Sequence, residues 1–171
     1  MDIAEQQQRF TDWTREHGAI LHHVVNGFAA GDDRNDLLQE VLLAVWKSIP
    51  PFRGDAKPTT YLYRVSHNAA LLWVRTEKNY QRRVEQFGAS SPDGFATDAD
   101  LLADERLAKI YSAIRLLKPL NRSLMLLSLD GLSYREMAEI LGLSESNVGV
   151  KINRIKNQLT QTLKGNHHEP E

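Results

Sequence analysis

The sequence contains no cysteine among its 171 residues, which excludes a disulfide framework and any zinc site built on thiolates. It has no apolar run that approaches the roughly 20 residues needed for a membrane-spanning helix. The first residues, MDIAEQQQRFTDW, are polar and acidic and lack the apolar core of a signal peptide. These absences lead us to expect a cytoplasmic protein that is not inserted in a membrane.

Residues with the spacing of an enzyme active site are also lacking. The adjacent pairs His22–His23 and His167–His168 point apart on a helix and have no carboxylate at ligand spacing. The GDAK at 54–57 lacks the second glycine of a phosphate-binding loop. Ser66–His67 has no orienting group beside it, and we expect His67 to be exposed or locally hydrogen-bonded. The sequence therefore predicts no catalytic residue, no metal and no cofactor.

What the chain does have is an uneven distribution of charge, although its formal net charge is only −1. Residues 53–86 hold seven basic and three acidic side chains, and residues 106–165 hold ten basic and four acidic ones. Between them, residues 87–105 hold five acids and no base. Because attraction to phosphates depends on local fields more than on total charge, both basic blocks are candidates for nucleic-acid binding.

Apolar residues recur at three- and four-residue spacing along the chain, which predicts an all-α fold. The predicted helices span 3–30, 34–49, 59–84, 103–117, 119–129, 133–141 and 145–163. The stretch FGASSPDGFATDAD, at 87–100, has the composition of a flexible linker. We therefore predict a helical domain at 1–86, an acidic linker at 87–105, a second helical domain at 106–165 and a tail at 166–171.

The segment GLSYREMAEILGLSESNVGVKINRIKNQL, at 131–159, has the pattern of a helix-turn-helix. Ser133 and Glu136 form a capping box at a helix start, and Gly142 stands where a left-handed residue would end that helix. Ser144 is placed to cap the next helix. Two helices joined by a short turn containing glycine are typical of proteins that bind duplex DNA.

The second helix of this segment is predicted to have two distinct faces. Its apolar stripe consists of Val148, Ile152, Ile155 and Leu159. The opposite face consists of Asn147, Lys151, Arg154 and Gln158. Residues 146–164 include four basic side chains and no acid. A solvated amphipathic helix would share the apolar stripe, but the capping box, the turn and the acid-free face together favour insertion into a major groove.

The stretch DLLQEVLLAVWKSI, at 36–49, predicts a helix with a broad apolar face. Its opposite stripe consists of Asp36, Glu40, Leu43 and Lys47, with Gln39 beside it. An ordinary solvated face accounts for these residues. A leucine exposed among acids and an amide can also be a docking surface for a basic partner helix, and the residues alone leave both interpretations open.

The stretch FRGDAKPTTYLYRVSHNAALLWVRTEKN, at 52–79, predicts a turn followed by a helix with a mixed polar face. Its predicted buried residues are Leu62, Val65, Ala69, Leu72 and Trp73. Its predicted exposed residues are Thr60, Tyr61, Arg64, His67, Asn68, Arg75 and Lys78. Cations neutralise phosphates, an aromatic ring stacks on a base and an amide reads a base edge, which is the combination that single-stranded DNA binding needs.

The C-terminal stretch KPLNRSLMLLSLDGLSYREMAEILGLSESNVGVKINRIKNQL resembles the fourth conserved region of the extracytoplasmic-function sigma factors of bacterial RNA polymerase. That region has a Leu-Pro turn, an Arg, a Leu-rich helix, Gly-Leu-Ser-Tyr and the helix-turn-helix. The resemblance implies that the minus-thirty-five promoter element is recognised by Ser144, Ser146, Asn147, Lys151 and Arg154. Gly149 and Val150 replace residues that are usually basic or small and polar, which implies an upstream element that is read differently.

The two N-terminal stretches resemble the second conserved region of the same family, which reads Asp-Leu-x-Gln-Glu-Val, then Phe-Arg-Gly, then Leu-Tyr-Arg and a later Asn. The resemblance implies that the largest polymerase subunit is bound, at its clamp coiled coil, by Asp36, Gln39, Glu40, Leu43 and Trp46. It implies that the minus-ten element is opened and read by Arg53, Lys57, Thr60, Tyr61, Arg64, Asn68 and Arg75. Departures from the family pattern are Pro58, Tyr61 and Leu72, where an aromatic residue, a Trp and an Asp are usual.

Together these resemblances imply a sigma factor that directs the polymerase core to promoters and has no catalytic site of its own. The implied partners are the beta-prime and beta subunits of the core, promoter DNA and an anti-sigma factor. One alternative is an ordinary helix-turn-helix regulator, which would bind duplex DNA by itself and would not associate with polymerase. Another is a sigma-like decoy, which would dock on polymerase without contacting DNA.

Overall fold

The computed structural model describes the backbone of residues 1–86 and 105–165, and their side chains except those of 79 and 82–86. All regular structure in these residues is helical, so the predicted all-α fold is confirmed. The helices are α1 (Ile3–Phe28), α2 (Asp33–Ser48), α3 (Pro58–Gln86), α4 (Glu105–Arg115), α5 (Pro119–Leu129), α6 (Tyr134–Leu141) and α7 (Glu145–Gly165). None of them has the length and hydropathy of a membrane-spanning segment.

The chain divides into two compact units, Met1–Leu101 and Leu102–Glu171. Helices α1–α3 belong to the first unit and α4–α7 to the second. The predicted tail and all of the predicted linker except Glu105 lie outside the described residues. The domain boundaries and the flexibility of the linker therefore stay predictions.

The first unit is a bundle in which each of the three helices packs against the other two. Asp2 begins α1 with a capping box: its carboxylate accepts the N–H of Glu5 at 2.8 Å, and Glu5 accepts the N–H of Asp2 at 3.2 Å. Apolar side chains from all three helices fill the centre, as the helical periodicity predicts. The largest contributors are Trp13, Leu21, Val24, Phe28, Leu37, Val41, Val45, Ile49, Leu62 and Val74.

Three aromatic rings hold the loop between α2 and α3 against the bundle. Phe52 in that loop contacts Trp13 of α1 and Tyr61 of α3, with ring centroids 5.1 Å and 4.7 Å away. The Tyr61 hydroxyl donates a hydrogen bond of 2.9 Å to the carbonyl of Ser48 at the end of α2. Packing thus fixes the path of the loop, and Arg53, which follows Phe52, is left exposed.

The buried face of α3 differs from the predicted one. Leu72, predicted to be buried, is 61% exposed, and His67, predicted to be exposed or locally bonded, is 1% exposed. The buried residues of α3 are Leu62, Ser66, His67, Ala70 and Val74. The Ser66 hydroxyl donates to the carbonyl of Leu62, which offsets the cost of burying it. Leu62 is buried as predicted, but Val65, Ala69 and Trp73 are only half-buried. Small and polar side chains carry no hydrophobic periodicity, so the apolar pattern did not reveal that Ser66, His67 and Ala70 turn toward the core.

In the second unit, α7 packs against each of α4, α5 and α6. Arg122 at the start of α5 donates from Nε to the carbonyl of Leu117 at 2.9 Å, which closes the connection from α4. Beyond α5, Gly131 takes a φ of +79° and the N–H of Leu132 donates to the carbonyl of Leu127 at 3.2 Å. The core consists of Tyr111, Ala113, Ile114, Leu117, Leu124, Met125, Leu126, Leu127, Met137, Ala138, Ile140, Val148, Ile152 and Ile155.

Candidate functional site

The turn between α6 and α7 has the geometry that the sequence predicts. The hydroxyl of Ser133 accepts the N–H of Glu136 at 3.2 Å, and the Glu136 carboxylate accepts the N–H of Ser133 at 2.7 Å, which confirms the capping box. Gly142 ends α6 with a φ of +68°, in the left-handed region that favours glycine. The hydroxyl of Ser144 accepts the N–H of Asn147 at 3.2 Å and so caps α7.

Helix α7 presents the two faces that its sequence pattern predicts. Val148, Ile152 and Ile155 are buried against the rest of the unit, and Leu159 is half-buried. Of the predicted DNA-facing residues, Lys151 is half-buried and the others are exposed, namely Ser144, Ser146, Asn147 and Arg154. The structure therefore places all five where a duplex could reach them, and their contacts with DNA stay a prediction.

Two departures from the expected recognition helix lie next to each other. Val150 is 50% exposed on the side that carries Asn147 and Arg154. Gly149 is half-buried, and a Cβ added there would lie 3.4 Å from the ring of Tyr134 on α6. A Cβ at position 149 would thus make van der Waals contact with the Tyr134 ring.

The predicted docking stripe on α2 is exposed, with Trp46 at one side of it. Asp36, Gln39 and Glu40 are exposed, and Leu43 is 45% exposed. Trp46 is half-buried, with its ring edge-on to that of Phe10 of α1 at a centroid distance of 5.5 Å. Its carbonyl accepts a hydrogen bond of 2.9 Å from Nε2 of Gln6, also on α1. Trp46 therefore ties α2 to α1, whereas the other four residues face outward.

A groove between α2 and α3 joins this stripe to residues that sequence reasoning missed. Its volume is about 540 Å³. It is lined by Asp36, Gln39, Glu40, Leu43, Ala44, Lys47, Ala69, Leu72, Trp73, Thr76 and Glu77. The α3 members of this lining were not found from the sequence because Leu72 and Trp73 have the apolar character of core residues. No local signal in the sequence distinguishes an apolar residue at a groove wall from a buried one.

The predicted minus-ten residues lie along α3 and the loop before it. One stripe of α3 holds four of them at steps of three, four or seven residues, namely Tyr61, Arg64, Asn68 and Arg75, and Lys57 lies in the same register directly before the helix. Thr60 is half-buried on the flank of that stripe, and Arg53 lies in the loop. Lys57, Asn68 and Arg75 are exposed, while Tyr61 is held by Phe52 and Ser48 within the bundle.

His67 does not belong to this polar face. It packs near Phe28 and Tyr63, with ring centroids 6.3 Å and 6.4 Å away. Burial and, to a smaller extent, the nearby His23 together lower the pKa of His67 from 6.5 to about 3. At neutral pH His67 is therefore uncharged, and it contributes packing within the bundle instead of a cation for DNA.

Two family models match the chain in separate segments that include these faces. Residues 13–80, which hold the α2 and α3 faces, match sigma-70 region 2. Residues 107–159, which hold the helix-turn-helix, match sigma-70 region 4. The chain belongs to the extracytoplasmic-function sigma factors. An ordinary helix-turn-helix regulator is not favoured, because region 2 is matched as well as region 4.

Individual sigma factors resemble the chain over most of its length. The RNA polymerase sigma factor NccH of Alcaligenes xylosoxydans xylosoxydans is 26% identical, covering 92% of this chain and 88% of that protein. The ECF RNA polymerase sigma factor SigM of Mycobacterium tuberculosis is 25% identical, covering 94% and 80%. The solved sigma factor RpoE of Bartonella quintana, in complex with the anti-sigma factor NepR, has a TM-score of 0.68 at 20% identity, covering 90% and 97%. The likeness to that solved structure shows that the fold is shared.

This sigma factor serves RNA polymerase in promoter-dependent transcription initiation, and its family consists of non-catalytic initiation factors. The predicted DNA-facing cations and amides lie on α3, in the loop before it and on α7, and the acids of the predicted docking stripe lie with Leu43 on α2. The segment matched by region 2 thus carries one acidic face and one face of cations and amides, and the segment matched by region 4 carries a second face of cations and amides.

Proposed function

We propose that this sigma factor uses three faces for three steps of initiation. The α2 stripe binds the polymerase core, the α3 stripe opens and reads the minus-ten element, and the α7 face reads the minus-thirty-five element in duplex form. The observation that carries the proposal is the α3 stripe. This stripe places exposed Lys57, Asn68 and Arg75 in one register, so that cations for phosphates and an amide for a base edge lie along the same side.

Docking on the core is assigned to Asp36, Gln39, Glu40 and Leu43. Their exposed carboxylates and amide suit a helix of the core that carries basic side chains, and Leu43 supplies an apolar contact at the centre. Trp46 acts at the edge of this surface, because its ring also packs on Phe10. Its replacement is therefore expected to affect the stability of the bundle as well as docking.

Strand opening is assigned to the α3 stripe because it combines exposed cations and an exposed amide with a tyrosine ring whose position is fixed by packing. Lys57 and Arg75 are exposed cations that can hold phosphates of a displaced strand. Asn68 lies between them along the helix and can pair with the edge of an unstacked base. The Tyr61 hydroxyl donates to the carbonyl of Ser48 and its ring packs on Phe52, so the half-buried ring has a fixed orientation and can support the face of such a base from one side of the helix.

The proposal extends to where the protein acts and what restrains it. Bacterial polymerase and its promoters are cytoplasmic, and so we place this chain in the cytoplasm, without a catalytic activity of its own. Of two structural neighbours, RpoE was solved with the anti-sigma factor NepR and CnrH with the cytosolic domain of CnrY. We therefore include an anti-sigma factor among its partners, together with the beta-prime and beta subunits of the core and promoter DNA.

Run-off transcription with core polymerase on a library of genomic fragments tests the proposed function. Addition of the full chain should give discrete transcripts that core polymerase alone does not give. Glu40→Lys should reduce all of them, and Glu16→Lys, the same charge change at an exposed position of α1, should not. Binding of the isolated chain to duplex DNA, without new transcripts and without association with core, would overturn the proposal.

A further inference from the structure

Val150 stands in the middle of the exposed face of α7. It lies four residues after Ser146, four before Arg154 and three after Asn147, so all four side chains share one side of the helix. Val150 is 50% exposed, whereas Val148, two residues earlier, is 0% exposed. The centre of a face made of amides and cations is therefore aliphatic.

Neither packing nor helix formation accounts for a valine at this position. The stripe that packs against α4, α5 and α6 is complete with Val148, Ile152 and Ile155. A β-branched side chain also lowers helix propensity slightly compared with a straight one. Single exposed apolar side chains are common on proteins, but this one lies among the residues that the proposed function places against DNA.

The surroundings of Val150 leave its isopropyl group accessible. Gly149 offers no side chain beside it, and the Tyr134 ring lies against Gly149, 3.4 Å from where a Cβ would be. The neighbouring Ser146 and Asn147 are short and exposed. The two methyl groups of Val150 are therefore available to a base edge that approaches α7 between Asn147 and Arg154.

One feature of the major groove matches an aliphatic group, the C5-methyl of thymine. We propose that Val150 recognises the methyl group of a thymine in the upstream promoter duplex. This inference rests on the proposed function of α7. It adds that the centre of the α7 face selects thymine through its methyl group. The cations at Lys151 and Arg154 supply affinity for phosphates or guanine edges, and Val150 supplies the preference for thymine.

The test uses holoenzyme assembled from core polymerase and the full chain, on a promoter recovered in the run-off experiment. Each thymine of the upstream element is replaced in turn by deoxyuridine, which removes the methyl group and keeps the base pair. One replacement should weaken closed-complex binding by about fourfold, as expected for one methyl group left unburied. Val150→Ser should bind the thymine and deoxyuridine duplexes equally, and Val150→Ile should keep the difference.

Arg154→Ala separates this inference from the proposed function. It should weaken binding to every duplex while the thymine preference remains. Suppose that Arg154→Ala reduces binding but that no deoxyuridine duplex binds more weakly than the thymine duplex. The α7 face then contacts DNA, and the proposed role of Val150 is wrong. A thymine preference unchanged in Val150→Ser also overturns it. If neither Arg154→Ala nor Lys151→Ala alters upstream binding, the α7 face is not on DNA and both proposals fail.

Discussion

The burial of His67 predicts that the first unit loses stability as the pH falls from 7 to 5. The unfolded chain protonates His67 with a pKa near 6.5, whereas in the folded protein its pKa is lowered to about 3, first by burial and then by His23. Below pH 6.5 the unfolded state therefore binds a proton that the folded state excludes, and stability decreases until the pH reaches about 3. These two pKa values correspond to a loss of about 2 kcal/mol at pH 5.

Urea denaturation of the full chain, followed by tryptophan fluorescence at pH 7 and pH 5, measures this loss. All three tryptophans, Trp13, Trp46 and Trp73, lie in the first unit, so the signal reports that unit alone. The free energy of unfolding should decrease by about 2 kcal/mol more in the unaltered chain than in His67→Leu. Each variant is compared with itself at the two pH values, which removes any constant effect of the substitution.

His22→Leu is the matched control, because His22 is an exposed histidine on α1. It should keep the pH dependence of the unaltered chain. If His67→Leu loses as much stability between pH 7 and pH 5 as the unaltered chain, the protonation of His67 is not linked to unfolding and the reasoning is refuted.

Four further predictions concern the faces and the turn. Glu40→Lys should weaken the affinity for core polymerase by roughly tenfold or more in a competition assay with helical content unchanged, and an unaltered affinity would remove the docking assignment. Asn68→Ala should form closed complexes normally and show weak permanganate reactivity at minus-ten thymines, with normal reactivity contradicting its role in opening. Lys151→Ala and Arg154→Ala should each weaken upstream binding by about 1–3 kcal/mol if the residue reads a base. If the residue contacts a phosphate, the variant should instead lower the salt dependence of binding by about one in the slope of log K against log salt. Normal transcription by both variants from promoters that need the upstream element would exclude the α7 face as the recognition surface. Gly142→Ala should destabilise the second unit by about 1 kcal/mol, since φ at this residue is +68°, and an unchanged thermal midpoint by circular dichroism would show that the turn relaxes.

Features that depend on neighbours in the sequence were predicted well. The capping box of Ser133 and Glu136, the left-handed Gly142 and the cap at Ser144 each need only a few consecutive residues to form. The two faces of α7 also follow from helical spacing alone, because the helix is amphipathic with a single apolar stripe. The all-α fold followed from the same periodicity.

Features that depend on packing between helices were predicted less well. On α3 the sequence pattern predicts that Leu72 is buried and His67 exposed, whereas in the structure Leu72 is exposed and His67 is buried. Ser66 and Ala70 explain the difference, because small side chains turn toward the bundle without contributing to an apolar pattern. The groove between α2 and α3 was missed because its walls come from residues far apart in the chain and because its apolar members, Leu72 and Trp73, have the character of core residues.

The short turn between α6 and α7 has a thermodynamic consequence. The N–H of Leu143 donates to the carbonyl of Ala138 at 3.0 Å, and the hydroxyl of Ser144 accepts the N–H of Asn147. Hydrogen bonds therefore fix both ends of the turn. The two helices are therefore ordered before DNA arrives, and the conformational entropy of ordering them is lost on folding of the unit instead of on binding. The heat capacity change of binding should then reflect the surface buried against DNA without an added contribution from coupled folding.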